Sequence, residues 1–364
     1  MSSAPSSFEY HAKPCRVLFG RGSIQKLPEE VKRLGKVKPL LLSGPRQSDR
    51  MKPLEAVLEH ASITPAGTFA NATMHTPIHM TEEALKYAID TGADILVSFG
   101  GGSAVGLGKA LSVRTGLKHI CVPTTYAGSE MTSVLGETVD KKKTTRSDDK
   151  ILPYAVIYDV DFTMTLSPAM SATSGMNAIA HAVEALYAEN TNPVTDLLAQ
   201  EGIKALAESL PVIVDRPDDV EARVRALYGA WLCATCLGTV GMSLHHKLCH
   251  TFGGTLGMPH SETHTIVLPH AIAYNSPNIS EAQRKLAAVL PDSDGDAIKG
   301  LNVLLEKLRV KRGLKEFGMR EDDIDIIADT ATGNPYWNPR PIERAPLRET
   351  IRRCWAGEEA RADL

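Results

Sequence analysis

The sequence predicts an α/β N-terminal half built on a mostly parallel sheet, followed by an all-helical C-terminal half. Three observations carry that expectation. Up to about residue 160, short apolar runs alternate with amphipathic stretches; after Pro168 the apolar positions follow helical spacing throughout. Between these patterns, three consecutive glycines, Gly100 to Gly102, end one apolar run and open a helical one. The texture places the boundary between 1–163 and 164–364.

The first strand is "CRVLFG", with "SIQKLPEEVKRLG" as its helix; "KPLLLSG" and "MKPLEAVLEHA" repeat the pair. "TEEALKYAIDTGA" then leads into "DILVSFGGGS", "VGLGKALSV" leads into "HICVPTT", and "YAVIYD" closes the series. Continuous apolar runs bounded by Gly and Pro fit strands buried on both faces, as a parallel sheet with covering helices requires. Beyond Pro168, "MSATSGMNAIAHAVEALYA", "VTDLLAQEGIKALAESLPVIV" and "EARVRALYGAWLCATCLGT" keep a 3.6-residue period, and no alternating strand interrupts them. Neither a repeat nor a low-complexity linker separates the halves.

Composition narrows the function. The chain has 364 residues, 43% hydrophobic and 23% charged, with a net charge of -3, so it can bury two sizeable cores. That balance gives no reason to expect nucleic acid or an anionic membrane as a partner. No apolar run approaches the roughly 20 residues of a membrane span, and "MSSAPSSFEYHAKPC" lacks the apolar core of a signal peptide. Six scattered cysteines fit a reducing compartment; the expected location is the cytoplasm. Cys233 and Cys236 form a C-x-x-C on an apolar helix and are assigned to core packing, whereas Cys249, lying among histidines, is a candidate reactive thiol.

The first chemical motif is "SFGGGSAVGLGKA". Glycines let a backbone approach a pyrophosphate, and the following helix start offers free N–H groups and a positive dipole end. Gly100, Gly101, Gly102 and Ser103 are the candidate phosphate cradle. One strand later, "VPTTYAGSEMTS" adds Thr124, Thr125 and Ser129 at the same carboxyl edge of the sheet, where nucleotides bind in α/β folds.

The second is "HHKLCHTFGGTLGMPHSETH", which holds five of the chain's twelve histidines. His246, His250 and His260 are spaced as a helix followed by a loop would space a site, and "GMNAIAHAVEAL" sets Asn177 and His181 one helical turn apart. On residue types alone this is a metal site, a polar metal-free site, or a set of satisfied helix histidines.

"FGGGSAVGLGKA", "PTTYAGSE", "GMNAIAHAVEAL" and "HHKLCHTFGGTLGMPH" occur in this order and spacing in the iron-containing alcohol dehydrogenase superfamily, which the chain resembles from "VLFGRGSI" to "NPYWNPRPI". Tyr126, the "GLGKA" ending and the "NPYWNPRP" tail are similar to its maleylacetate reductase branch. The resemblance implies a dehydroquinate synthase-like fold, with a dinucleotide-binding domain, a helical domain and catalysis in the cleft between them. It implies NADH or NADPH as cofactor, a homodimer, and reduction of the carbon–carbon double bond of maleylacetate, a dicarboxylate, to 3-oxoadipate in hydroxyquinol and resorcinol degradation.

Metal-dependent members hold a divalent ion with one Asp and three His. The matching positions here are Asn177, His181, His246 and His260, so a neutral amide replaces the anionic ligand. An amide neutralises no charge and binds softer transition metals poorly, and no required metal is expected. Losing the Asp also removes repulsion against a dianionic substrate, which His or Lys would attract. His250 matches a non-ligand histidine near the nicotinamide and is the leading proton donor, with protonated imidazoles or an ammonium stabilising enolate charge. His246, His181, His260, Lys247, Asn177 and Tyr126 complete the catalytic candidates. Gly44, with Arg46 nearby, stands where relatives carry the ribose-binding Asp, so NADPH is not excluded. Gly106 replaces a common Asp of the glycine motif. The alternatives are a metal-dependent alcohol dehydrogenase, using iron or zinc on a simple alcohol or aldehyde, and a non-catalytic small-molecule binding protein.

Overall fold

The computed structural model describes residues 7–13, 15–45, 47–74, 76–139, 142–333 and 336–364. The chain divides into two compact units, Lys13–Leu166 and Ser167–Leu364, the latter grouped with Met1–Ala12.

In the first unit the order is β1 (Arg16–Phe19), α1 (Leu27–Arg33), β2 (Pro39–Leu42), α2 (Lys52–His60), β3 (Gly67–Phe69), α3 (Ile78–Asp90), β4 (Ile95–Gly100), α4 (Gly102–Thr115) and β5 (His119–Pro123). A hairpin of β6 (Val134–Val139) and β7 (Lys142–Ser147) precedes β8 (Ala155–Tyr158). Six strands form one sheet in the order β1-β8-β5-β4-β2-β3, every neighbouring pair parallel. Strand residues alternate between two cores. Leu41, Ile95, Val97, Phe99, Ile120, Val122 and Ile157 pack with Leu27, Val31, Leu54 and Leu58 of α1 and α2. Leu40, Leu42 and Leu96 pack with Ala84, Leu107 and Leu111 of α3 and α4. Both faces are therefore covered, which is why these strands read as unbroken apolar runs.

Two features of this unit lay outside the sequence reading. β3 is a three-residue strand at the sheet edge. The β6–β7 hairpin is antiparallel and separate from the main sheet; Thr144, Thr145, Arg146 and Ser147 on β7 are exposed, so no apolar alternation announces it. Gly106 has a packing reason. A Cβ there would lie 2.6 Å from Thr76 Oγ1, so the bare helix face leaves room for Thr76 against α4.

The second unit contains α5 (Pro168–Ala185), α6 (Pro193–Asp215), α7 (Val220–Thr239), α8 (Leu244–Leu256), α9 (His260–Asn275), α10 (Ser280–Val289), α11 (Ala297–Lys307), α12 (Asp323–Gly333) and α13 (Arg344–Ala356), with no strand among its described residues. α5 starts where the sequence dictates: Ser167 Oγ accepts from the Met170 N–H at 3.2 Å, and Pro168 fills the first turn. α6 and α7 approach closely at Gly202 and Gly229, where a Cβ on Gly229 would come within 2.9 Å of the Gly202 carbonyl. Cys233 and Cys236 are buried in this contact. Burial pushes both thiols up, so neither is a ready nucleophile or thiolate ligand. Cys249 is corrected: it is buried, burial raises its thiol well above the usual value, and it is no reactive cysteine. Among the described residues no single helix is long and apolar enough to cross a membrane; α7 and α8 reach that only as a pair bent by 92°.

Candidate active site

The glycine turn is shaped by its backbone. Gly100 ends β4 at φ 147°, a conformation L side chains rarely adopt. Gly101 precedes α4 without a side chain to cap it; the Ala104 N–H donates to the Gly101 carbonyl at 3.1 Å, and the Gly102 and Ser103 N–H groups before it have no side-chain cap. A Cβ on Gly101 would meet Thr125 Oγ1 at 2.9 Å, whereas a Cβ on the exposed Gly102 would meet only Ala127 Cβ, at 3.8 Å. The Thr-Thr loop is joined to the turn by the Thr124 N–H, which donates to the Gly100 carbonyl at 3.0 Å. Thr124 Oγ1 is buried without a hydrogen-bond partner among the described residues.

Ser129 is held from behind by Lys109 of α4. The buried Lys109 ammonium donates to Ser129 Oγ at 3.2 Å, Thr132 Oγ1 at 2.7 Å and the Val134 carbonyl at 2.9 Å. Burial lowers its pKa to about 8 despite nearby Glu130. Glu130, also buried and raised by burial, accepts from Tyr158 Oη at 2.9 Å. The "GLGKA" ending thus fastens α4, which follows the glycine turn, to the segment after the Thr-Thr loop. Tyr126 lies in this unit with its ring fully buried. Ser103 is partly exposed in the first turn of α4; Gly44, past the end of β2, sits 3.4 Å from the Ala72 carbonyl by its would-be Cβ, and Arg46 lies outside the described residues.

In the helical unit, α5 carries Asn177, His181 and Glu184 on one face, α8 carries His245, His246 and His250, and α9 carries His260 and His264. His260 opens α9 rather than ending in a loop; the loop is Gly257–Pro259. The imidazoles gather. Ring centroids lie 5.1 Å apart for His181 and His246, 5.1 Å for His246 and His264, 4.1 Å for His260 and His264, and 6.2 Å for His246 and His250. His181, His245, His246 and His264 are buried, and His250 and His260 are exposed. Asn177 Oδ1, His181 Nδ1, His246 Nε2 and both ring nitrogens of His264 are buried without a hydrogen-bond partner among the described residues. So many orphaned atoms together mark a place where a polar ligand belongs.

Burial, reinforced by neighbouring imidazoles, holds His181 and His264 well below the usual histidine pKa, and His245 falls to about 4. The expectation of a protonated imidazole is therefore corrected for His181, which like His245 and His264 is neutral at pH 7. Lys247 stands with its ammonium 5.1 Å from the centre of the Tyr336 ring, in the chain's tail motif, whose Asn334 and Pro335 lie outside the described residues.

Glu184, His245 and His264 were not singled out from the sequence. The Glu184 carboxylate accepts from His246 Nδ1 at 2.7 Å, Ser243 Oγ at 2.7 Å, the Ser243 N–H at 3.0 Å and the His245 N–H at 2.8 Å. Burial alone would raise its pKa; the hydrogen bonds from His246 and Ser243 help to override that and hold it at about 2. His264 had a visible signal, being one helical turn beyond His260; Glu184, seven residues after Asn177, had only the shared helix face.

This arrangement can be set beside known proteins. The iron-containing alcohol dehydrogenase pattern matches residues 14–160, and the C-terminal pattern of the Fe-containing alcohol dehydrogenase family matches residues 171–355. The chain belongs to the iron-containing alcohol dehydrogenase family. It is 46% identical to a maleylacetate reductase of Rhizobium sp. (strain MTP-10005), over 96% of this chain and 98% of that protein. A maleylacetate reductase of Burkholderia cepacia is 45% identical, over 97% and 99%. Among solved structures, a maleylacetate reductase from Agrobacterium tumefaciens superposes with a TM-score of 0.92 at 46% identity, covering 98% of this chain and 100% of that one. A putative alcohol dehydrogenase from Ralstonia eutropha JMP134 gives 0.95 at 46% identity, covering 98% and 99%.

The family name implies a metal, and the donor set can be tested for one. His245, His246 and His264 place ring nitrogens within 4.8 Å of one another. However, His245 Nε2 is 2.9 Å from the His264 carbonyl, and His246 Nδ1 is bound to Glu184. Of the family's ligand positions, Asn177, His181, His246 and His260 are all neutral donors or histidines, and the Glu184 carboxylate is consumed by its own hydrogen bonds. A buried divalent charge would have no anionic ligand to neutralise it. A divalent ion here would be held by neutral ligands alone, without the Asp that metal-dependent members supply. A dinucleotide fits better: the uncapped start of α4, the open face of Gly102 and the orphaned Thr124 hydroxyl are what a pyrophosphate needs.

Proposed function

We propose that this chain is a maleylacetate reductase that uses NADH or NADPH and needs no metal. The observation that carries the reading is the replacement of the anionic site position by Asn177, beside the buried, unpartnered ring nitrogens of His181, His246 and His264. It occurs in a chain that matches proteins named maleylacetate reductase along nearly its whole length. The nucleotide is held, on this reading, by Gly100, Gly101, Gly102 and Ser103 with Thr124, Thr125 and Ser129; when bound, it supplies the hydride. Gly44 leaves room for either cofactor.

Reducing the double bond of maleylacetate puts negative charge on an enolate and consumes one proton. An enolate spreads that charge, so hydrogen-bond donors can take the part a Lewis acid plays for an alkoxide. Neutral His181 and His264 can each donate from one nitrogen, and Asn177 repels neither substrate carboxylate. The proton itself comes from the exposed part of the cluster, with His250 first and His260 next, while Lys247 attracts the dianion. The same proposal includes a homodimer in the cytoplasm serving aromatic-compound degradation. All six cysteines are free, as a reducing compartment requires.

The test is NADH oxidation by purified enzyme with maleylacetate, run with and without a chelator, beside metal analysis of the same sample. Turnover that survives chelation, with well below one equivalent of iron or zinc, supports the reading. Activity that disappears with chelator and returns with iron or zinc selects a metal-dependent alcohol dehydrogenase instead.

A further inference from the structure

We infer that Glu184 is a positioning residue that sets which nitrogen of His246 faces the substrate; this rests on the reading that His246 lines the substrate site. The carboxylate belongs to α5, yet its hydrogen bonds go to the start of α8. Ser243, the residue before α8, makes no side-chain cap of its own. The Ser243 and His245 N–H groups donate instead to Glu184, at 3.0 and 2.8 Å, and Ser243 Oγ donates at 2.7 Å. The Leu244 N–H donates to Asn338 Oδ1 at 3.3 Å. Two side chains from elsewhere in the helical unit thus do the capping that Ser243 does not.

The remaining contact distinguishes Glu184 from Asn338. His246 Nδ1 lies 2.7 Å from Glu184 Oε2. An ionised carboxylate only accepts, so Nδ1 carries the proton and donates, and the other nitrogen, Nε2, is the one turned to a ligand. That nitrogen is buried and has no hydrogen-bond partner among the described residues. Glu184 is itself fully buried, so water does not compete for its oxygens. Replacing it by glutamine turns one oxygen into an NH2 donor. Whichever way the amide is placed, that NH2 meets a backbone N–H, and on one side it also meets His246 Nδ1.

Glu184→Gln should lower kcat for maleylacetate at least tenfold while the KM for NADH stays within about twofold. Glu184→Asp, which keeps an acceptor-only carboxylate, should recover part of that loss. In 15N-histidine spectra, the signal assigned to His246 with a His246→Gln control should change its Nδ1–H pattern in Glu184→Gln. Asn338→Ala removes a cap from the same helix without touching His246; it should lower the melting temperature but leave kcat within about threefold. If Asn338→Ala and Glu184→Gln cost equal activity for equal destabilisation, and the His246 signal is unmoved, Glu184 is a helix cap only and the inference is wrong. A folded Glu184→Gln enzyme with wild-type kcat overturns it as well. If His246→Gln itself keeps wild-type kcat and KM for maleylacetate, the site reading falls together with it.

Discussion

His250 lies one helical turn from His246, exposed where His246 is buried, and the 6.2 Å between their rings leaves it the more accessible partner. A donor in that place can be recharged from solvent after each turnover, which the buried neutral imidazoles cannot match. His250→Ala should therefore lower kcat by roughly 10²–10⁴-fold, the usual contribution of general acid–base catalysis. The KM for NADH should barely move; a variant with wild-type kcat would pass the acid role to His260 or Lys247. Asn177 makes the opposite test. Its Oδ1 is buried and unpartnered, so Asn177→Asp introduces a carboxylate beside His181 with nothing to neutralise it. Metal retained after dialysis against zinc should rise toward one equivalent, and kcat/KM for the dianionic maleylacetate should fall. A variant that binds no more metal than wild type would remove the fourth position from the comparison with metal-dependent relatives.

At the level of elements, the turn between β4 and α4 separates what the fold requires from what a ligand requires. Gly101 is hemmed in by Thr125, and Gly100 by its positive φ, so substitutions there disturb the protein itself. Gly102 is not: its added Cβ makes an ordinary 3.8 Å contact with Ala127. Gly102→Val should keep the melting temperature within a few degrees and raise the KM for NADH more than tenfold, because the methyls occupy the phosphate approach. An unchanged KM in a folded variant takes this turn out of the nucleotide site. The turn was legible in the sequence because its constraint is local: strand, glycines, helix, in consecutive residues. Asn177, His181 and His250 were legible for the same reason, through helical spacing and a family pattern. Glu184 was not, because Ser243, His245 and His246 lie 59 to 62 residues away and an acidic residue on a helix reads as a solvated one. The β6–β7 hairpin escaped because β7 is exposed to water and carries no apolar period, and β6 buries Glu137 as well as Leu135.

Over the whole molecule, buried histidines outside the proposed site set the response to acid. His119, in the sheet unit, is packed against Gly108, bonded through Nε2 to Ser98 Oγ at 2.7 Å, and faces Lys109 and Cys121. His270, in the helical unit, faces Arg312, Arg353 and Glu358. Burial first, then the nearby cations, lowers both from 6.5 to about 3. The folded state thus refuses a proton that the unfolded chain accepts once the pH falls below 6.5, so stability rises with pH between about 3 and 6.5 and is lost on acidification. Each group contributes about 1.4 kcal/mol per pH unit in that window. Two of them across two units make roughly 5 kcal/mol by pH 4.5, a large share of the 5–15 kcal/mol that holds a typical domain. Glu184, lowered to about 2, adds its loss only below the unfolded carboxyl value of 4.5. Acid lability should accordingly begin near pH 6.5, well before carboxylates protonate, and reach both units. Calorimetric melting at pH 7, 6, 5 and 4 should show the melting temperature falling from the first step, with net proton uptake on unfolding at pH 5. A melting temperature flat from pH 7 to 5, with loss confined below 4.5, would mean that these histidines are not buried and neutral in the folded chain.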